Sequence, residues 1–317
     1  MPTVAIYGAG LLGSNVAKLL SALPSVEVLG PFGRDERKKA LLSGSDVVVI
    51  ATTTRLRDVA TDVWEAVSAG SNVLISAEEA AFPFIVDKSL AEGLDLLARQ
   101  KGVSIAGAGV NPGLIFDSLV LTFLGASPRG CMIKARRVVD ISGFGETVLR
   151  RIGLGKSEKD FALAVELEEI LGHAGFPQSM HVVADALGIK VDYIERKLLP
   201  VITDQEIDLL GKFIIRKGQS AGVNQTYTGF VDDKPWFVAH FFGHVQLDQV
   251  DQESGDDIDL FMNDKLIQSI KIRPGIGAQT GSQNMVANSI NRIMSARPGW
   301  VTVAEMSPAF PAPINFL

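Results

Sequence analysis

The chain opens with a short apolar run, Val4-Ala5-Ile6-Tyr7, that breaks at Gly8-x-Gly10-x-x-Gly13 and gives way to a helical pattern from about Ser14. Val16, Leu19, Leu20 and Leu23 fall on one face of a helix predicted over Asn15 to Ala22, and Pro24 ends it. Further apolar runs at Val26–Gly30, Asp46–Ala51, Asn72–Ser76 and Val103–Ala106 read as strands. Helices are predicted from about Leu56 to Ala69, closed by Gly70, and from about Ser89 to Lys101. Between the second and third strands only a short link remains, too short for a comfortable full helical crossover. Strands alternating with helices in this way predict an α/β fold with a doubly wound parallel sheet.

After Gly113 the texture changes. A helix from Ile115 to Phe123 leads to a strand at Ile133–Val139. Beyond it, β-like pieces mix with helices over Phe161–Leu171, Gln178–Leu187, Phe213–Arg216, Thr226–Val231, Trp236–Gln246, Ile258–Met262 and Ile267–Ile272. This predicts a second α+β domain on a mostly antiparallel sheet. Gly275-x-Gly277 precedes a last helix, about Gln283 to Ala296, stopped by Pro298-Gly299, and a proline-rich tail from Pro308 is expected on the surface.

The opening glycines carry the first chemical reading. Gly8 permits a tight turn, Gly10 lets backbone approach a pyrophosphate, and Gly13 lets the helix pack close to the strand. The helix N-terminus, with Leu11 and Leu12 beside the loop, offers unpaired N–H groups to that pyrophosphate. The alternative is a plain glycine-rich turn, but a motif that follows a strand and opens a helix favours a Rossmann-type dinucleotide site. At the end of the second strand, NAD would want an acid for its ribose hydroxyls. Pro31-Phe32-Gly33-Arg34 stands there instead, with Arg37, Lys38 and Lys39 close behind. A guanidinium at Arg34 suits a 2′-phosphate, and Gly33 leaves it room. NADP is therefore favoured over NAD, a hydrogen bond to a charged group being worth about 1.5–3 kcal/mol, and the alternative is a solvated basic turn. NAD stays open, because Asp35 can bind a ribose. Thr52 and Thr53 end the third strand, on the edge where ligands bind in open sheets, and are candidate cofactor contacts.

Composition narrows the class. The 317 residues suggest about two domains, and 47% hydrophobic content is enough for real cores. No run reaches the ~18 apolar residues of a membrane span. A net charge of -6 argues against nucleic acid or an anionic membrane as partner. Met1-Pro2-Thr3 leads straight into the first strand with no secretory signal, and Cys131 stands alone, so a cytoplasmic protein is expected. His240 and His244 lie four apart on one face of a strand or helix, but no third ligand is evident and no metal is expected.

Several stretches resemble the 2,4-diaminopentanoate dehydrogenases and the native amine dehydrogenases related to them. They are Gly8-Ala9-Gly10, Asn72-Val73-Leu74-Ile75-Ser76-Ala77-Glu78-Glu79, Gly107-Ala108-Gly109-Val110-Asn111-Pro112-Gly113, Arg136-Arg137-Val138-Val139-Asp140, Gly172-His173-Ala174-Gly175-Phe176-Pro177 and Gly275-Ile276-Gly277. The resemblance implies a two-domain subunit, a homodimer, and NAD(P)-dependent oxidation of a primary amine, run backwards as reductive amination of a ketone or aldehyde with ammonia. The implied division is a dinucleotide-binding domain over 1–115, a substrate and dimerisation domain over 116–280, and a helix and tail over 281–317 packing back on the first. It also implies an active-site glutamate, which carries over to Glu78 or Glu79, with Glu78 favoured. The sequence departs from the family at Gly33-Arg34 and in its short second βα region. It reads Asn288-Ser289-Ile290-Asn291 where the family resembles Asn-Ala-Ile-Pro, so a cofactor contact from Asn288 is a carry-over only.

The glutamate reading has its own chemistry. A carboxylate beside the reacting carbon can stabilise a positive carbon–nitrogen double bond and exchange protons with water or ammonium. Ala80, Ala81, Phe82 and Phe84 give it apolar company. Against this, two acids beginning a helix simply suit its dipole. Asn111 offers an amide near the nicotinamide, or merely precedes a Pro-Gly turn. Phe82, Leu114, Phe116, Phe144 and Phe176 are candidate walls of a pocket for a small apolar substrate. His173 is a candidate substrate contact or a loop histidine holding backbone, and His181 reads as part of a helix. A diamino acid would want a cationic anchor, for which Arg55 or Arg57 is the local offer. Two other readings compete. A dihydrodipicolinate reductase relative would carry an adjacent histidine pair, which is missing here. A catalytically silent NADP(H)-binding redox sensor would bind cofactor without turnover.

Overall fold

The computed structural model describes residues 1–209 and 213–311. The described elements begin with β1 (Thr3–Tyr7), α1 (Leu11–Ser21), β2 (Glu27–Phe32), α2 (Arg37–Leu41), β3 (Val47–Ile50), α3 (Leu56–Ser68) and β4 (Asn72–Ile75). Next come α4 (Lys88–Lys101), β5 (Ser104–Gly107), α5 (Ser118–Leu124), β6 (Met132–Asp140), α6 (Glu146–Arg151), α7 (Glu158–Glu166) and α8 (Phe176–Leu187). β7 (Tyr193–Ile202), β8 (Ile207–Asp208), β9 (Ile214–Ile215), β10 (Ser220–Val231) and β11 (Lys234–His244) follow. The described chain closes with β12 (Gly255–Met262), β13 (Lys265–Ile272), α9 (Ala278–Ala287), α10 (Ile290–Met294) and β14 (Gly299–Trp300).

Two compact units result. The first joins Met1–Leu121 and Gln178–Ile189 to the chain from Gly277 onward, and the second comprises Thr122–Pro177 and Lys190–Ile276. In the first unit a six-stranded sheet has the order β14-β5-β4-β3-β1-β2, with every pairing parallel. Its inner strands are short and mostly apolar, as a sheet covered on both faces requires. Val47 to Ile50 are all buried. One face is covered by α3 and α4, through Leu56, Val59, Val63, Leu94 and Ala98. The other is covered by α1, α9 and α10, through Val16, Leu20, Val286, Ile290 and Ile293. Strand order reverses at β1, which lies between β2 and β3, so the carboxyl ends of β1 and β3 frame the crevice where such sheets bind ligands.

The second unit holds a six-stranded sheet in the order β13-β12-β6-β11-β10-β7. All its pairings are antiparallel except β6 with β11. The fold is thus the doubly wound α/β unit with a mostly antiparallel partner that the sequence predicts.

Several boundaries differ from the prediction. α1 begins at Leu11 rather than Asn15, because the glycine loop turns directly into helix and the Ser14 N–H already bonds the Gly10 carbonyl. α5 begins at Ser118, not Ile115, since the chain first turns tightly after Val110, whose carbonyl accepts from both Leu114 and Ile115 N–H. The long last helix is two helices, α9 and α10, with Asn288 as C-cap of the first. β7 and β14 are additions. β7 is an edge strand carrying Glu195, Arg196, Lys197 and Pro200, residues that hide a strand signal but suit an edge. β14 follows Pro298 immediately and pairs with β5. Of the proline-rich tail, residues 312–317 lie outside the described residues.

Candidate active site

The opening loop shows why its glycines are needed. Gly8 has φ +125°, and a Cβ there would lie 2.3 Å from the Ala51 carbonyl oxygen. A Cβ on Gly13 would lie 1.9 Å from the Gly8 carbonyl oxygen, so the α1 backbone rests on the turn itself. Gly10 differs, for nothing lies within 4 Å of the place its Cβ would take. Gly10 is exposed, and Leu11, the first residue of α1, is an apolar side chain left 61% exposed. Leu12 packs at the margin of the α1 core. The loop therefore presents open backbone and an uncovered leucine at a helix N-terminus. This is the cradle a pyrophosphate requires, and the residues present fit a dinucleotide.

The cations after β2 sort themselves by partner. Arg37 pairs with Asp62 and, at 3.0 Å, with Glu65, tying α2 to α3. Lys39 pairs with Glu36 at 2.9 Å. Arg34 is exposed and has no ion pair among the described residues, and Gly33 before it faces open space. Arg34 lies close enough to Tyr7, at the end of β1, for its charge to act on that phenol. At the end of β3 the Thr53 hydroxyl donates to Asp58 at 3.1 Å, which engages it in the first turn of α3. Thr52 is exposed.

The two glutamates are divided by geometry. Both sit on a short 3-10 turn, Glu78–Ala81, just beyond β4. Arg55, the N-cap of α3, has no acceptor to offer that helix. The Glu79 carboxylate supplies it, accepting from the Leu56 N–H at 2.7 Å. Glu78 is half-buried on the same turn. The turn is seated closely. A Cβ on Gly107, the last residue of β5, would lie 2.6 Å from the Ala81 nitrogen. The buried Trp300 indole donates to the Ala80 carbonyl at 3.1 Å. Ala80 and Ala81 are buried, and Phe82 packs against Phe84 with centroids 5.7 Å apart and against His181 of α8 at 5.7 Å.

Beyond β5 the loop folds back on itself, because a Cβ on Gly113 would lie 2.1 Å from the Gly109 carbonyl oxygen. Asn111 stands between these two glycines, and both polar atoms of its amide are buried with no hydrogen-bond partner among the described residues. Such an orphaned amide fits a cofactor that brings its own carboxamide. Below the loop, Asp117 is fully buried. It accepts from Gly113 N–H at 2.7 Å, Ser118 N–H at 2.6 Å and the Ser179 hydroxyl at 2.9 Å. Burial raises its pKa above the usual carboxylate range, and the three donors oppose that rise. Leu114 is partly exposed beside it, and Phe116 is fully buried.

The remaining candidates lie in the second unit. His173 stacks near Phe176 at 5.1 Å and Phe241 at 5.8 Å, and Phe176 meets Tyr227 at 5.4 Å. Phe176 is fully buried in this cluster. The loop of His173 is held by Gln225, itself 0% exposed. Gln225 accepts from His173 N–H at 2.8 Å and donates to the Leu171 and His173 carbonyls, each at 3.3 Å. Phe144 stands apart from that cluster, lining a cavity of about 690 Å³ with Glu146, Leu149, Asp208 and Val245. His240 bonds the Asn224 amide oxygen at 2.8 Å, and His244 Nδ1 lies 2.7 Å from the Gln246 carbonyl. Among the described residues no group of three or more His, Cys, Asp or Glu converges as a metal site would.

In the first unit, then, the structure gathers Gly8, Gly10, Gly13, Arg34, Thr52, Glu78 and Asn111 at the ends of adjacent strands or the loops beyond them. Asn288 lies at the break after α9, a helix that packs on α1. The sequence did not point to Asp117, Trp300 or Gln225, whose partners are distant in the chain.

Comparisons with known proteins agree on one kinship. Residues 114–314 match the family described as the 2,4-diaminopentanoate dehydrogenase C-terminal domain. The chain is 30% identical to the 2,4-diaminopentanoate dehydrogenase of Acetoanaerobium sticklandii, over 96% of this chain and 92% of that one. In fold it is similar to the amine dehydrogenase of Mycobacterium smegmatis, with a TM-score of 0.81 at 17% identity, covering 98% of this chain and 97% of that chain. It is less similar to scyllo-inositol dehydrogenase of Lactobacillus casei, with a TM-score of 0.53 at 11% identity over 92% of this chain and 88% of that one. With a family match over more than half its length and a curated relative aligned along nearly all of it, the chain belongs to the 2,4-diaminopentanoate dehydrogenase family.

Proposed function

We propose that this protein is an NAD(P)-dependent amine dehydrogenase. It oxidises a small primary amine to a ketone or aldehyde and ammonia, and in reverse aminates the carbonyl reductively. The observation that carries the reading is the half-buried Glu78 carboxylate just past β4, in a sheet whose first loop is built to receive a pyrophosphate. Membership in a family named for such a dehydrogenase supports it.

A nicotinamide cofactor, when bound, supplies the acceptor for the hydride that leaves the amine carbon. Gly8, Gly10 and Gly13 with Leu11 and Leu12 would hold its pyrophosphate, Thr52 and Asn288 are further candidate contacts, and the Asn111 amide would meet its carboxamide. Arg34, with no ion pair among the described residues, would take a 2′-phosphate and so favour NADP. Loss of hydride leaves a positively charged carbon–nitrogen double bond on the substrate. Glu78 stabilises that charge, accepts a proton from the water that adds to the carbon, and returns a proton as ammonia leaves. Glu79 serves by holding α3 against the turn. Phe82 and Leu114 supply apolar surface in the first unit, and Phe144, His173 and Phe176 are the second unit's candidates. The subunit works as a homodimer, as the family resemblance implies, and the lone Cys131 suits the cytoplasm. No helix of the described residues is long and apolar enough to cross a membrane.

A panel of primary amines assayed at alkaline pH with each cofactor tests this reading. Turnover with NADP favoured is expected. Tight cofactor binding with no turnover on any amine would favour the redox-sensor alternative.

A second substrate reading has its own support, since the curated relative is named for a diamino acid. Arg57 pairs with Asp87 at 3.4 Å. Arg55 is exposed and has no ion pair among the described residues, and its neighbour Leu56 bonds Glu79. Arg55 is thus the cation left to anchor a substrate carboxylate. In that case Arg55→Ala raises KM for 2,4-diaminopentanoate about tenfold or more and leaves simple amines unchanged. Equal kinetics on both substrate classes would remove Arg55 from the site.

A further inference from the structure

Asp117 is a buried acid that the proposed chemistry leaves without a task. Its side chain accepts from two backbone N–H groups and one hydroxyl, at 2.6–2.9 Å. A carboxylate is acceptor-only and has lone pairs enough for all three, whereas an amide would turn a donor toward one of these donors. The carboxylate form is therefore the one the surroundings fit.

Those bonds converge on one residue of the loop. Gly113 is gripped at both backbone groups, since its N–H donates to Asp117 and its carbonyl accepts from the Ser118 hydroxyl at 2.9 Å. Gly113 in turn lies against Gly109, closer than any side chain would permit. Asn111 is carried between the two. Its amide has no hydrogen-bond partner among the described residues to orient it, although both polar atoms are out of water. An amide in that state costs free energy until a ligand meets it, and the backbone that carries it sets where it can reach. The Ser179 hydroxyl adds a further tie, because it joins the same carboxylate to α8.

We infer that Asp117 is a positioning residue for cofactor binding: by fixing Gly113 it aims the buried Asn111 amide at the carboxamide of the nicotinamide. The inference rests on the reading of the site as a dinucleotide site. Asp117 touches neither cofactor nor substrate and acts through Asn111.

A double-mutant cycle on cofactor affinity isolates that route. Dissociation constants for NADP and NADPH are measured by fluorescence titration, without substrate, for the unaltered protein, Asp117→Asn, Asn111→Ala and the double variant. Melting temperatures are recorded alongside. Asn111→Ala is expected to weaken binding about tenfold and Asp117→Asn about five- to tenfold. The double variant is expected to bind no more weakly than Asn111→Ala alone, since Asp117 then has nothing left to aim. Losses that multiply in the double variant would overturn the inference, because Asp117 would then act on the fold at large. Should Asp117→Asn not fold, Ser179→Ala keeps both backbone bonds to the carboxylate. It is expected to weaken binding about two- to threefold, and that effect too should vanish in the Asn111→Ala background. Persistence of the Ser179 effect there would sink the inference equally. If the unaltered protein binds neither NADP(H) nor NAD(H), the dinucleotide reading fails and this inference with it.

Discussion

The two sheets bury their side chains in opposite ways, and their chemical groups follow suit. In the first unit β3 is buried at every position, because helices cover both faces of a parallel sheet. No position of β3 is left for a reacting group. The glycines, Arg34, Glu78 and Asn111 all lie past strand ends, on turns held by backbone geometry. In the second unit β10 alternates buried and partly exposed positions along much of its length. There the polar groups sit on the strands themselves. Gln225 points to the enclosed side and holds the His173 loop, while its neighbour Asn224 bonds His240. The first unit is expected to fail where backbone space is taken, and the second where a strand side chain is lost.

The largest effect should come from filling that space. Gly13→Val puts side-chain atoms where the Gly8 carbonyl already lies. Cofactor affinity should fall at least about 100-fold, with a lowered melting temperature, the cost of overpacking being about 1–3 kcal/mol or more. Near-normal affinity in a titration would show that the turn has slack the glycines were not needed for. In the second unit, Gln225→Leu strips three backbone groups of their partner. Stability should drop by about 2–3 kcal/mol, with amide exchange accelerated at residues 171–175. Exchange that rises evenly over the whole unit would contradict a local role.

A smaller and more selective change is expected at Arg34→Ala. NADP should weaken about ten- to a hundredfold, as for one charged hydrogen bond, with NAD little altered. Equal losses for both cofactors would remove the phosphate role. The smallest effect concerns acid. Burial lowers the pKa of His240 and His244, with Arg136 adding to the shift at His240. The unfolded chain then binds protons more readily than the folded one. The stability these rings contribute is present above their ordinary value of about 6.5 and is lost as pH falls from there through the lowered values. Urea midpoints should decline modestly between about pH 7 and 5, and His244→Gln should flatten the decline.

What the sequence made legible follows from the same contrast. The glycine loop is local: turn, helix start and open backbone all lie within Gly8–Gly13, so spacing reveals them. The pair Glu78-Glu79 was visible as a pair, but the tie of Glu79 to α3 was not, because the Leu56 N–H that engages it is 23 residues away. Asp117 and Ser179 are 62 residues apart, and Trp300 and Ala80 are 220 apart. No periodicity announces such partners. β7 escaped because an edge strand tolerates the charges and proline that mask it, and β14 because Pro298-Gly299 reads as a stop. The candidate walls were read as one set, yet Phe144 lines a cavity while Phe176 is enclosed in an aromatic cluster. Aromatic residues alone do not distinguish wall from core.

The central claim is that two adjacent glutamates on one turn do different work, Glu78 at the reacting carbon and Glu79 at the end of α3. Turnover number, cofactor dissociation constant and melting temperature of Glu78→Gln and Glu79→Gln, measured side by side, test it directly. Glu78→Gln should lower kcat about 10²–10⁴-fold with cofactor affinity nearly unchanged. Glu79→Gln should keep most of its kcat and lose about 1–2 kcal/mol of stability. The reverse pattern, with activity surviving in Glu78→Gln and vanishing in Glu79→Gln, would contradict the account.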